Sequence, residues 1–216
     1  MYQTLLEISS YSVGIGAVIG MVRFKKVDRA YLPFILLLWV GLLNEIITVV
    51  SIDLFKSNAV TSNIYVLVES LLILWFFKNL RLGRKNNKRF HFVALLFIAV
   101  WITDNFFISR ITRFSSYFRI LYNFITVLMS IHMINRLILD ERSGLIKNSV
   151  FLITIGFIVF FTYKILIEIF WVYGLNASRD FRVEVYRIMT YINLAINLIY
   201  ALAVLWIPKK REYTLL

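Results

Sequence analysis

Cysteine is absent from the chain, and histidine occurs only as His91 and His132. Without thiols there is no disulfide, no thiolate-bound zinc or iron–sulfur cluster and no cysteine nucleophile. Two isolated histidines also exclude a metal motif of the HExxH type. Charge is scarce: Asp, Glu, Lys and Arg make up 17% of the 216 residues, against about 25% in a soluble domain. Proline is rarer still, with Pro33 and Pro208 both at the ends of apolar runs. Largely unbroken helices are therefore expected, which counts against a transporter built on broken helices. Apolar residues dominate instead, at 60%, with 17% aromatic. They fall into long runs separated by short basic clusters, a pattern that excludes a soluble globular enzyme and a disordered tail.

Seven such runs, at about 4–24, 31–52, 60–80, 91–109, 115–138, 148–173 and 185–207, are long enough for the ~20 residues that cross a bilayer. The expected fold is an all-α seven-helix bundle, one transmembrane domain spanning 1–216. No basic stretch precedes the first run, so a cleaved signal peptide is not expected. Lys and Arg counts set the orientation. Sixteen fall on one side: Arg23, Lys25, Lys26 and Arg29, then six between Lys78 and Arg89, then Arg136, Arg142, Lys147, Lys209, Lys210 and Arg211. Seven fall on the other: Lys56, Arg110, Arg113, Arg119, Arg179, Arg182 and Arg187, with Lys164 inside a span. The N-terminus is expected outside and the C-terminus in the cytoplasm, in a bacterial inner membrane. The formal net charge of +12 then reflects topology and anionic lipid, with no nucleic-acid partner. Loops of about a dozen residues leave no room for a kinase or DNA-binding domain, so any output needs a partner protein.

Five acids lie within the spans: Glu7, Glu45, Glu69, Asp104 and Glu168. A charge at mid-membrane costs about 3 kcal/mol, so each is expected to face the bundle interior. Helical spacing supports this. Gly41, Asn44, Glu45 and Thr48 share a face of segment 2, and Ser62, Tyr65 and Glu69 a face of segment 3. Segment 4 adds Trp101, Asp104 and Asn105; segment 5 carries Arg119, Tyr122, Asn123, Thr126 and Ser130; segment 7 carries Tyr186, Thr190, Asn193, Asn197 and Tyr200. Most of these groups fall in the outer half. A pocket opening outward is expected, in which Glu45, Glu69, Asp104 and Glu168 converge with Lys164 and Arg187 as counter-charges. Asn44, Asn105, Tyr122, Asn123, Asn193 and Asn197 would complete it. A ligand or ion site and a purely structural network both remain open readings of this set.

Lys164 and Glu168 are one turn apart and able to pair. Rhodopsins also carry a membrane lysine, but on the seventh helix, and segment 7 has none; no cofactor is expected. His132 reads as a bundle histidine. Gly16-x-x-x-Gly20 brings two small residues to one face, for close packing inside the bundle or in a homodimer. Trp75, Trp171, Tyr173 and Trp206 read as interfacial anchors. Two internal repeats are compatible with the spacing. One is three hairpins after a lone first helix; the other is a 3+1+3 duplication relating Glu45 to Glu168 and Glu69 to Asn193, in which segment 1 does not align with segment 5.

The stretch LLNEIITVV at 42–50, followed by NIYVLVESLLILWFF at 63–77, resembles small bacterial seven-helix membrane proteins of sensor type. That resemblance covers segments 2 and 3 and implies action with a separate histidine kinase. The expected function is a sensor- or receptor-like subunit, not an enzyme, signalling through a cytoplasmic or membrane partner. A small-solute or ion transporter and an accessory subunit of a larger complex are the alternatives, with an intramembrane enzyme, limited to acid or paired-carboxylate chemistry, the remaining one.

Overall fold

The computed structural model describes residues 8–80, 87–140, 144–173 and 178–209. Glu7, the 81–86 part of the basic cluster, Arg142, Lys210 and Arg211 lie outside the described residues. Those described are helical apart from short links and an isolated antiparallel bridge between Val27 and Lys209. The helices are α1 (Val13–Arg23, with helical residues from Ile8), α2 (Leu32–Phe55), α3 (Ala59–Asn79), α4 (Asn87–Thr103), α5 (Ser116–Asp140), α6 (Ser149–Val172) and α7 (Arg179–Trp206). Each of α2 to α7 is long and apolar enough to cross a bilayer, whereas the described part of α1 is shorter. The chain is thus a multi-pass helical membrane bundle.

Local chemistry fixes the helix ends. Pro33 occupies the first turn of α2, where its missing N–H costs nothing. Asn148 caps α6 by accepting from the Val150 and Phe151 amides, and Ser178 caps α7 by accepting from Phe181. α2 stops at Lys56, which adopts left-handed φ of 56°. α7 begins six residues before the expected 185, because a capped polar turn, Arg179–Glu184, extends the helix without raising its hydropathy.

Cross-helix contacts show successive helices running in opposite directions. Gly16 and Gly20 meet Leu38 and Ile35; Gly41 meets Tyr65, and Phe34 meets Phe76. Trp101 reaches Asn63, Phe97 meets Phe118, Arg119 meets Glu168, and Gly156 meets Tyr200. α1 runs parallel to α7, with Ser9 on Thr190 and Arg23 on the last α7 carbonyls, Val204, Leu205 and Ile207. The packing order around the bundle is α1, α2, α3, α5, α6, α7 and back to α1, while α4 stacks outside on α3 and α5. This order sets α1–α3 opposite α5–α7 and matches the 3+1+3 arrangement better than three hairpins. The glycine pair faces inward: an added Cβ would come within 3.2 Å of Leu38 at Gly16 and 3.1 Å of Ile35 at Gly20. That face is filled by α2 and α7 and is not a homodimer surface.

The half of the bundle nearest Arg23, the cation-rich end, is filled with rings. Phe34 contacts Phe76, Phe157 and Tyr200 at centroid distances of 5.8, 6.2 and 5.4 Å. Phe77 and Phe161 close on Phe157 at 6.0 and 5.6 Å. Phe34, Phe76, Phe77, Phe157 and Phe161 are each no more than 1% exposed, so this cluster is a dry plug. Trp75, Trp171, Tyr173 and Trp206 are exposed at helix ends, as anchors would be. His132 is exposed on the outer surface of α5 and is not a bundle-interior histidine as the sequence suggested.

Candidate functional site

Above the plug, toward the Lys56 end, the six ring helices enclose a cavity of about 360 Å³. Ser9, Ser10 and Val13 line it from α1, and Leu37, Leu38, Gly41, Asn44 and Glu45 from α2. α3 contributes Ser62, Tyr65, Val66 and Glu69; α5 contributes Arg119; α6 contributes Phe157, Phe160, Phe161 and Lys164. The polar stripe of α7 lines it whole: Tyr186, Thr190, Asn193, Asn197 and Tyr200, with Met189. A 3.6-residue period put these groups on one side of each helix, and the ring turned those sides inward.

Glu69 is the hub. Its Oε1 accepts from the Tyr65 hydroxyl at 3.0 Å, and its Oε2 accepts from Tyr122 at 2.6 Å and from Lys164 at 3.3 Å. Four side chains on α3, α5 and α6 are joined through one carboxylate that is nearly inaccessible. The Lys164 ammonium also sits over the rings of Phe160 and Phe161, at 4.7 and 5.3 Å, where the ring faces favour a cation. The expected Lys164–Glu168 pair does not form. Lys164 turns down to Glu69, and Glu168 pairs across to Arg119 on α5 at 3.6 Å. Interhelical pairs let both groups avoid lipid, whereas an intrahelical pair would satisfy neither neighbour.

Glu45 stands apart on the cavity wall, next to the Ser10 hydroxyl. Among the described residues it has no cation within ion-pair distance. Opposite, α1 and α7 are laced together: Ser9 Oγ donates to the Thr190 carbonyl at 2.8 Å, and Asn193 and Asn197 donate to Ser9 and Ser12. Tyr200, at the junction with the plug, is buried among rings, and its hydroxyl has no partner among the described residues. Gly156 makes room for that ring, since a Cβ there would lie 2.4 Å from Tyr200 Cε1.

Of the expected members, Asp104, Glu168, Arg187, Asn105 and Asn123 do not line the cavity; Glu168 turns instead to Arg119. Asp104 caps α5, accepting from the Phe118 amide at 2.8 Å and from the Ser109 hydroxyl at 3.3 Å. It ends α4 in a π-helical turn, Asp104–Ile108, where neighbouring Asn105 donates to Trp101. α4 lies outside the ring, so neither residue reaches the cavity. Arg187 pairs with Glu184 one turn away at 2.7 Å on the exposed start of α7. Tyr122 joins through Glu69, while Asn123 is buried on α5 and lines no part of the cavity.

The structure adds two groups that the expected site did not include. Ser9, Ser10 and Ser12 form the α1 side of the cavity and its ladder to α7. Asn63 clamps the α4–α5 connection, donating to the Ile111 and Arg113 carbonyls and accepting from Ser115 and Arg119. Among the described residues no three His, Cys, Asp or Glu side chains group as a metal site. Comparison with family models, with curated proteins and with solved structures yields no match.

Proposed function

We propose that this chain is a sensor- or receptor-like membrane subunit. Its N-terminus lies outside and its C-terminus in the cytoplasm, and seven helices span a bacterial inner membrane. A small solute entering the cavity from outside changes the packing of α3, α5 and α6, and a separate partner protein reads the cytoplasmic face. The observation that carries this reading is the polar cavity set directly upon a dry aromatic plug. A volume of about 360 Å³ is within the ordinary range for small-ligand sites, and the Glu69 hub links three helices to whatever occupies it. The plug supports signalling over passage. It offers no continuous polar route among the described residues, and moving it means repacking rings that touch four helices.

Small-solute transport is the alternative, favoured by the Tyr200 hydroxyl at the boundary between cavity and plug, which has no partner among the described residues. Because the native chain has no cysteine, single cysteines separate the two readings without background. Cysteine at Ser57 is expected to react with an impermeant thiol reagent from outside, and cysteine at Lys147 only from inside. For the cavity position Met189→Cys, a sensor gives labelling from outside alone, under all conditions. Labelling of Met189→Cys from both sides overturns the sensor reading in favour of alternating access. The reverse pattern at Ser57 and Lys147 overturns the orientation.

A further inference from the structure

The cavity wall carries two acids, Glu45 and Glu69, and two cations, Arg119 and Lys164, but they are not paired one to one. Lys164 pairs with Glu69, and Arg119 with Glu168, which lies off the wall; among the described residues Glu45 has no cation within ion-pair distance, and the Lys164 charge acts on it only from further off. A charge held away from bulk water is costly unless it is paired. Asn44, the preceding residue, lines the same wall and adds an amide carbonyl to the carboxylate. The chain also displays what this cavity does with an ammonium group. Lys164 Nζ rests against a carboxylate oxygen at 3.3 Å and over two phenyl rings at 4.7 and 5.3 Å. At the far end of the space, the Tyr200 hydroxyl is buried and has no partner among the described residues. Val13, Leu37, Leu38 and Met189 supply apolar wall beside the polar stripe of α7.

From this arrangement we infer that the cavity binds an organic monoamine as its cation. The ammonium group is held at Glu45, and the apolar body lies against the α6 rings and Met189. The Tyr200 hydroxyl accommodates a polar group at the other end of larger members of the class. This rests on the reading of the cavity as a ligand site and adds to it the charge and shape of the ligand. Lys164 and Glu69 stay paired with each other, so the incoming amine does not compete for Glu69.

The test is thermal unfolding of the purified full chain in lipid nanodiscs at neutral pH. The probes are 2-phenylethylammonium chloride, its neutral counterpart 2-phenylethanol, and sodium chloride at matched ionic strength. The ammonium probe is expected to raise Tm by several degrees in a saturable manner, while the alcohol and sodium leave it unchanged. Glu45→Gln is expected to weaken that response at least tenfold without lowering the starting Tm, because it removes a charge that has no cation of its own. Asn44→Ala is expected to weaken it less. An equal rise with the alcohol, a full rise with sodium alone, an unchanged response in Glu45→Gln, or no response to the amine would each overturn the assignment. Any of these leaves the sensor reading intact where Met189→Cys labels from one side. Two-sided labelling overturns the sensor reading whatever the amine does.

Discussion

Along α3, Tyr65 and Glu69 face the cavity, and about two turns further on Phe76 and Phe77 face the plug. The same change occurs on α6 from Lys164 to Phe157, and on α7 from Asn193 and Asn197 to Ala203 and Val204. The two halves share helices, and they differ in what the facing side chains supply. Lipid is as apolar as a leucine core, so helices in a membrane gain little from burying apolar surface against one another. Close contact supplies the adhesion instead, and interlocked rings provide much of it. Hydrogen bonds in the polar half contribute about 0.6 kcal/mol each on average, so a dense network there contributes little stability for its size. The comparison assigns cohesion mainly to the plug and ligand response mainly to the cavity.

That division is sharpened or broken by substitutions on either side of the boundary. The largest loss is expected for Phe157→Ala, which removes a ring touching Phe34, Phe76, Phe77, Phe161 and Tyr200. About 3 kcal/mol is expected, at the lower end of the usual Phe→Ala range because the unfolded reference is lipid. Unfolding in detergent–urea mixtures measures it. Gly156→Ala is next, at about 2 kcal/mol, since its methyl group overlaps the Tyr200 ring and overpacking costs of this order are typical. Asn63→Ala is expected to lose about 1.5 kcal/mol by releasing the α4–α5 connection and leaving buried groups unpaired. Glu69→Gln is expected to lose about 1 kcal/mol, because Lys164 keeps its ring contacts and partial exposure, and to abolish the response to a bound ligand. A Glu69→Gln loss larger than that of Phe157→Ala would make the polar half the scaffold and break the comparison.

Much of the cavity was legible in the sequence. The α7 stripe from Tyr186 to Tyr200, the α3 set with Glu69 and the α2 set with Glu45 follow from helical period alone. The sequence marks Lys164 as lying within a span but does not name its partner, since i,i+4 spacing points along one helix and says nothing of the neighbour across a ring. Asp104 shares the depth and polarity of Glu45, so helical period alone groups the two. What separates them is that α4 sits outside the ring, a fact of packing order that no single-helix pattern carries. Arg187 sits closer to the helix start than the sequence implies, because hydropathy averaging hides the polar first turns of α7. The plug residues read as plain apolar helix; their convergence on Phe157 depends on Gly156 admitting Tyr200.

Hydroxyl-radical footprinting of the chain in lipid nanodiscs tests the division most directly, because oxidation requires water beside the side chain. The account predicts that Met189 and Tyr186 of the cavity are oxidised readily, while Phe34, Phe76 and Phe77 are protected to the level of fully buried rings. Comparable oxidation of the two sets would mean that water passes through the plug, and would contradict the assignment of a closed aromatic half beneath an outward polar site.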